Sequence, residues 1–212
     1  MKKLVLIINC LLFLFLLAAC KKEAASDSDI PADAELVRPA SDRTYYNNLN
    51  QVEDQATLIV RAVVKDTLGQ EVDTIYDSVL KKELPTYGYT KREIEVTEVY
   101  QGDVKVGDKL VLLQEYYLWT KSDGKKQLVN SSSVKPAIKG GEYLFFLRHE
   151  EMMGGYSTVG DYQGIYALPT DKVKTKEKEG KLEQADLDTY YDDEPLINLL
   201  PIYNEVAKKY FD

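Results

Sequence analysis

The chain contains very few of the side chains that hold transition metals or act as nucleophiles. Its 212 residues include one histidine, His149, and two cysteines, Cys10 and Cys20. Structural zinc sites take four ligands, nearly always Cys and His, so these counts argue strongly against a zinc framework. We therefore predict neither a metal centre nor a cofactor.

Positive charge is also scarce, with 27 Lys and Arg against 35 Asp and Glu and a formal net charge of −8. Nucleic acids are bound by clustered Lys and Arg, so we predict no nucleic-acid partner.

Phenylalanine and tryptophan are few, but tyrosine is abundant, with 16 residues. Tyrosine suits half-buried sheet surfaces, which indicates either a Tyr-rich β fold or an aromatic binding face.

The N-terminus carries a targeting pattern. Lys2 and Lys3 precede residues 4–19, which are apolar except for Asn9 and end in Leu-Ala-Ala directly before Cys20. This pattern closely resembles the signal of bacterial lipoproteins, in which a peptidase cuts before the cysteine. An ordinary secretory signal does not require that cysteine, and a membrane-spanning helix needs roughly 20 apolar residues.

The resemblance implies that Cys20 becomes the lipid-modified first residue of a protein anchored to the outer face of a bacterial membrane. Lipoproteins carry at least two acyl chains, which agrees with the weak hold of a single chain. Loss of Lys2 and Lys3 with the signal would lower the net charge to −10. In Gram-negative bacteria, an Asp directly after the lipidated cysteine retains a lipoprotein in the inner membrane. Lys21 occupies this position here, which is compatible with sorting of the protein to the outer membrane of such a host.

The segment that follows is predicted to be a flexible tether over residues 20–43. It is rich in Ala, Ser and Asp, has two prolines and shows no apolar periodicity. Such a composition buries too little apolar surface to offset its ordering entropy. Residues 44–212 then form a single domain, with a short helix predicted at 42–54 and capped by Ser41 or Asp42.

The middle of the chain has the alternation of β-strands. A β-bulge near Thr97 and Glu98 brings Val99 back into phase with Val96. Strands are predicted over residues 56–65, 92–100, 109–119, 143–147, 156–159 and 164–168. We predict a long connection over 66–88 that can include a local hairpin, a loop over 120–140, and a solvated hairpin or loop over 171–181.

The C-terminus has the spacing of an amphipathic helix, with apolar side chains at Leu196, Leu199, Leu200, Tyr203, Val206, Ala207 and Tyr210. Pro201 predicts either a local kink or a helix that begins there with proline in its first turn. The predicted fold is therefore mainly β with flanking α: an OB-like small β-barrel, a short N-terminal helix and a C-terminal amphipathic helix.

A series of turns and buried strands carries a second resemblance. Residues 93–103 (EIEVTEVYQGD), 106–108 (VGD) and 139–147 (KGGEYLFFL) look like the core of netrin-like and tissue-inhibitor domains, which have an OB-type barrel. The likeness covers about residues 57–168. Its motifs mark turns and buried strands, and they therefore imply a fold more than a function. Netrin-like domains are usually disulfide-bonded, whereas this chain has no cysteine pair after its signal.

The candidate ligand site lies on strand 109–119. Glu115, Tyr117 and Trp119 share one side of that strand. In OB barrels, strands two and three form the usual face for oligosaccharides and oligonucleotides. Tyr76, Tyr87 and Tyr89 lie in or near the long connection, in the position of a loop that borders this face. The alternative interpretation is that Tyr117 and Trp119 seal the end of the barrel.

These observations predict a non-enzymatic binding module at the cell envelope, for an envelope glycan or a protein partner. A netrin-like protease inhibitor is the alternative, and an envelope hydrolase that uses His149 as a base is a further one. No G-x-S-x-G elbow supports a hydrolase, and we interpret His149 as a strand-end residue. An acidic cluster offers oxygen ligands of the kind calcium takes but lacks the EF-hand glycine and spacing; it comprises Asp186, Asp188, Asp192, Asp193 and Glu194.

Overall fold

The computed structural model describes residues 30–187 and 196–211, and this part of the chain is mainly β, as predicted. Its strands are β1 Glu35–Val37, β2 Leu58–Asp77, β3 Lys82–Gln101, β4 Lys109–Gln114, β5 Tyr116–Thr120, β6 Lys126–Asn130, β7 Glu142–Glu150, β8 Gly155–Thr158 and β9 Ile165–Ala167. Its α-helices are α1 Leu49–Gln55, α2 Asp171–Lys178 and α3 Leu199–Val206. Cys20 lies outside the described residues.

The larger sheet closes on itself. Its strand order is β2-β3-β4-β8-β7-β9, and β2 also pairs with β7, from Leu58 opposite Leu147 to Val63 opposite Glu142. The contact between β4 and β8 is parallel and joins Leu112 to Tyr156, whereas the other neighbours are antiparallel. The first part of β2 therefore has a hydrogen-bonded neighbour on each side.

Beyond this ring, β2 and β3 continue together as a two-stranded ribbon, which we call the arm (residues 67–91). Pairing persists to Asp77 opposite Lys82, so the long connection predicted over 66–88 is wrong: the hairpin takes up the whole segment and is not a local feature within it. The outer part of the arm is polar because both of its faces meet water, which makes its composition resemble that of a loop. At the turn, the Asp77 carboxylate accepts the N–H groups of Val79 and Leu80, each at 2.8 Å.

A second, three-stranded sheet lies beside the arm in the order β1-β6-β5. The single strand predicted over 109–119 is interrupted at Glu115 and forms two strands, β4 and β5. The residues predicted as a loop, 120–140, include β6. β1 belongs to the segment predicted as a flexible tether. Instead, Glu35 and Val37 pair in parallel with Gln127 and Val129, because the free edge of β6 supplies backbone partners.

The core centres on β7. Residues 143–147 are buried on both faces, as their uninterrupted apolar run predicts. The Phe146 ring meets Tyr166 and Tyr210 edge-on, at 5.9 and 5.6 Å between ring centroids, so the C-terminal segment covers the outer face. The short strands predicted near 156 and 164 form as β8 and β9.

The predicted bulge in β3 is confirmed. Arg61 pairs with Glu98 and Ala62 pairs with Val96, which leaves Thr97 as the extra residue. As a result, Val99 packs against the core.

The N-terminal helix is shorter than predicted. α1 begins at Leu49, and the Asn48 side chain caps it by accepting the Gln51 N–H at 3.0 Å. Residues 42–48 are therefore not helical, and neither Ser41 nor Asp42 is the cap. Leu49 and Val52 are buried against the core.

The other two helices differ in how well the sequence predicts them. The C-terminal helix is confirmed, with Pro201 in the first turn of α3 and a wider π-type turn at Ala207–Phe211. In contrast, residues 171–178 form α2, where we expected a solvated hairpin or loop. Thr170 caps this helix and Val173 anchors it, while its Lys and Glu side chains meet solvent. Across the described ranges, no helix is both long and apolar enough to cross a membrane.

Candidate functional site

The structure separates the three residues of the predicted site. The chain bends at Glu115, whose carboxylate contacts Arg43 in the N-terminal segment, while Tyr117 and Trp119 lie on β5. Tyr117 is 4% exposed, and its ring lies on the backbone of Gly88 in the arm. Burial raises the pKa of Tyr117. Trp119 is half-buried. Tyr117 therefore packs against the arm, and of these three residues Glu115 alone borders a cavity.

That cavity is a cleft of about 340 Å³ between the N-terminal segment 42–46, the barrel and the base of the arm. Its volume lies within the roughly 300–1,000 Å³ typical of small-ligand sites. Glu115 stands at the corner between β4 and β5, and β7 and β8 supply the opposite wall. The charged and aromatic side chains around the cleft are Asp42, Arg43, Tyr46, Tyr87, Tyr89, Glu115, Tyr116, Arg148, Glu150 and Asp161.

Arg43 fastens the N-terminal segment across the cleft. Its guanidinium lies 2.6 Å from the Glu115 carboxylate and also donates to the Ser131 carbonyl. Burial alone would lower the pKa of Arg43, but the hydrogen bond to Glu115 and the nearby carboxylates raise it overall. Tyr46 is held in the same way, since its N–H donates to Oε1 of the buried Gln163 at 2.8 Å. The segment is therefore a fixed wall.

The carboxylates of the opposite wall are held in place by hydroxyl and guanidinium donors. Glu150 accepts from Ser157 Oγ at 2.5 Å and from Arg148 Nη2 at 3.0 Å. Burial opposes ionisation of Glu150, yet these two donors lower its pKa below the ordinary value. Asp161 accepts from the Ser132 hydroxyl and from the Ser133 N–H. Both groups are positioned as hydrogen-bond acceptors.

Two tyrosines of the arm line the cleft. Tyr87 and Tyr89 have ring centroids 6.0 Å apart, and Tyr87 is the more exposed. Tyr89 donates its hydroxyl to Glu71 at 2.5 Å, and this hydrogen bond and burial raise the pKa of Tyr89 to about 12. Tyr87 is therefore a partly exposed ring at the edge of the cleft, and the buried Tyr89 packs beside it. Tyr76, grouped with them from the sequence, lies near the far end of the arm.

His149 stands apart from the cleft. It lies on the exposed end of β7, where its ring packs edge-on against Tyr156 at 5.1 Å. No histidine is among the residues that line the cleft within the described chain.

The described residues contain no group of three or more His, Cys, Asp or Glu side chains able to hold a metal ion. Of the acidic cluster, only Asp186 is described, and Lys176 and Lys172 face its carboxylate. The hydrogen bond from Lys176 is the main cause of a lowered pKa for Asp186. Asp188, Asp192, Asp193 and Glu194 lie outside the described residues.

Sequence reasoning missed most of the cleft, because its residues come from five separate segments. Arg43 is an isolated charge in a segment with no periodicity, and Asp161 has no motif around it. The tyrosines after the first strand were the one usable signal, since Tyr87 and Tyr89 do border the cavity.

Comparisons of this chain with protein-family models, with curated proteins and with solved structures find no match.

Proposed function

We propose that the protein is a lipid-anchored, non-enzymatic binding module of the bacterial cell envelope that holds a hydroxyl-rich glycan in the cleft. The observation that carries this proposal is the composition of the cleft: an exposed tyrosine ring beside fixed carboxylates and guanidiniums. Aromatic faces pack on the apolar faces of sugar rings. Carboxylates accept hydrogen bonds from sugar hydroxyls, and guanidiniums donate to sugar oxygens.

The charge of the cleft supports a neutral or amino-bearing glycan over a phosphate-rich ligand. Four carboxylates and two guanidiniums line it, and the whole chain is acidic. Phosphate groups would meet an excess of negative charge. Each guanidinium also faces a carboxylate, Arg43 beside Glu115 and Arg148 beside Glu150, so neither is free to neutralise a phosphate.

The finer classification of the fold as an OB-type barrel is part of the proposal. Five strands close in the non-sequential order β2-β3-β4-β8-β7, and OB folds are five-stranded Greek-key barrels. In such barrels the second and third strands and the loop after the first strand border the ligand. Here β3, β4 and the arm take those places, and all three contribute to the cleft.

The anchor rests on the sequence pattern before Cys20, which predicts an acylated N-terminus at the outer face of the membrane. The two other functions receive less support. A netrin-like inhibitor would use its N-terminal segment as a wedge, whereas Arg43 and Tyr46 fasten that segment to the body. A hydrolase would need His149 near a nucleophile, and His149 lies outside the cleft.

The proposal is tested by calorimetric titration of the full chain in detergent micelles with peptidoglycan fragments and wall polysaccharides. We expect saturable binding, and an increase in Kd of about fivefold in Tyr87→Ala, because a stacked aromatic contact contributes about 1 kcal/mol. Tyr76→Ala is the matched control, since Tyr76 is an exposed tyrosine of the same arm outside the cleft.

Saturable binding that Tyr87→Ala leaves unchanged would move the glycan site away from the cleft. Failure of every glycan to bind the native chain would refute the glycan function and leave a protein partner as the ligand class to test.

A further inference from the structure

The end of the arm exposes apolar side chains that the cleft does not use. Ile75, Tyr76, Val79 and Leu80 are each more than half exposed, and Val79 reaches 85%. We call residues 75–80 the arm tip. Clustered exposed apolar residues on a monomer mark a surface that contacts a partner or a membrane.

The charges around the tip also set it apart from the body. Within residues 75–84, Asp77 and Glu83 are balanced by Lys81 and Lys82, in a chain whose net charge is −8. The Asp77 carboxylate also caps the turn through its two backbone hydrogen bonds. The tip is therefore a neutral apolar surface at the end of an acidic molecule, and it meets no repulsion from a lipid headgroup layer.

Contacts at the base of the arm show where the small sheet sits. Thr90 Oγ1 donates to the Tyr116 carbonyl at 2.6 Å, and further out Tyr117 lies on Gly88. Gln70, which pairs with Thr90 on the other strand of the arm, exchanges two hydrogen bonds through its side chain with the backbone of Leu118, both at 2.9 Å. β5 therefore crosses the base of the arm from β3 to β2.

The pairings of the small sheet place the start of β1 near the base of the arm. Trp119 pairs with Gln127, and Gln127 pairs with Glu35 at the start of β1. Trp119 follows Leu118, which contacts Gln70 in the arm. Glu35 therefore lies beside the base of the arm, about two strands from Trp119.

We infer that the arm tip inserts into the surface of the same lipid bilayer that holds Cys20. The inference rests on the lipid anchor of the proposed function but not on its glycan cleft. The fifteen residues from Cys20 to Glu35 span at most about 50 Å when extended. The tip extends about 20 Å beyond Gln70, seven residues at about 3.3 Å each, and lies within that reach.

The side chains of the tip suit this position. Val79 and Leu80 at the apex are aliphatic and enter the acyl boundary, as the apolar faces of interfacial segments do. Tyr76 has an apolar ring and a polar hydroxyl, the combination enriched at membrane interfaces. Lys81 and Lys82 bury their stems along the apolar layer and keep their ammonium groups in water.

The test places a tryptophan at the apex and measures its contact with lipid. Trp119 is replaced by Phe in the full chain, and Val79→Trp is added. The lipidated protein is reconstituted into phosphatidylcholine vesicles that contain brominated phosphatidylcholine. Val106→Trp is the matched control, because Val106 is an exposed valine in the turn at the opposite end of β3. We expect the Val79→Trp emission to shift to shorter wavelength and to lose most of its intensity, while that of Val106→Trp is unchanged.

Flotation of the same vesicles separates the outcomes. If both tryptophans are equally unquenched on protein that floats with the vesicles, the tip does not insert and this inference is overturned. Protein that does not float overturns the anchor and the inference together. Because the tip and the cleft are tested by different probes, loss of glycan binding does not alter the quenching result.

Discussion

Strands β2 and β3 are each a single continuous strand, yet their two halves have opposite surroundings. In the barrel, Val60, Val64 and Ile94 are fully buried, whereas Ile75 in the arm is 59% exposed. The alternation of side chains continues across both halves, with local bulges. What differs is the neighbours: β4 and β7 flank the barrel half, while no third strand in the described chain pairs with the arm beyond residue 90.

The comparison shows that apolar side chains in this ribbon stabilise the fold only where a second layer covers them. In the barrel they form the core, and in the arm they are available for contact with another molecule. Stability and binding are therefore assigned to different stretches of the same two strands. Each half can be altered without direct damage to the other.

The largest expected effect comes from matched truncations in the two halves. Ile94→Ala should lower the free energy of unfolding by about 2–5 kcal/mol, because it opens a cavity in a filled core. Ile75→Ala should change it by less than about 0.5 kcal/mol, since this side chain is mostly in water already. Urea denaturation of both variants measures the difference. Equal losses would show that the arm is as well packed as the barrel.

A substitution at the base of the arm should have an intermediate effect. A Cβ at Gly88 would lie 2.6 Å from the Tyr117 ring and 2.9 Å from the Glu71 carbonyl oxygen. Gly88→Ala should therefore cost about 1–3 kcal/mol and displace the arm from β5. Amide hydrogen exchange should become faster in residues 67–91 and keep its native rate in β7.

Thr86→Ala is the control for Gly88→Ala, because Thr86 is exposed and donates only one long hydrogen bond, to the Asp73 carbonyl at 3.2 Å. Accelerated exchange in the control as well would mean that the arm loosens for reasons other than its contact with Tyr117.

The smallest expected effect is a response of the arm to acid. Hydrogen bonds from Lys91 and then Tyr89 lower the pKa of Glu71 below its ordinary value of 4.5. A carboxylate with a lowered pKa stabilises the fold fully above its unfolded value and loses that contribution as pH falls through its folded value. Exchange in the arm should therefore increase below pH 4.5, before the barrel responds.

Glu71→Gln should remove this pH dependence, because glutamine does not titrate. The Glu71 side chain, followed by NMR between pH 2 and 7, gives the pKa directly. A midpoint at or above 4.5 would contradict the expected hydrogen bonds.

The sequence predicted best where local pattern and burial coincide. The run 143–147 predicts a fully buried strand, and the phase change at Val99 predicts the bulge at Thr97 that the register shows. The C-terminal helix follows from its apolar spacing, and Pro201 occupies the first turn that tolerates it. In these segments, the pattern of apolar side chains along the chain is enough to predict which residues are buried.

The sequence failed where structure depends on partners far along the chain. The outer part of the arm has a loop-like composition because neither of its faces is covered, and it is held as a ribbon by the pairing of β2 with β3. The cleft brings Arg43 to Glu115 and Ser132 to Asp161, and no spacing rule links such positions. The grouping of Glu115 with Tyr117 and Trp119 assumed one unbroken strand, whereas the chain bends at Glu115 between β4 and β5.

Closure of the barrel has a consequence for the order in which the chain folds. β2 and β3 are adjacent in sequence and can pair as soon as both exist, which is a fast, local event. The other edge of β2 cannot pair until β7 has been synthesised. At this edge the Thr57 hydroxyl donates to the carbonyl of Leu147, which lies 90 residues later in the chain. Such distant pairing is slow, because the intervening chain must lose its freedom first. A nascent chain that ends before β7 therefore exposes an unpaired strand edge, and we expect it to require a chaperone until residue 147 has emerged.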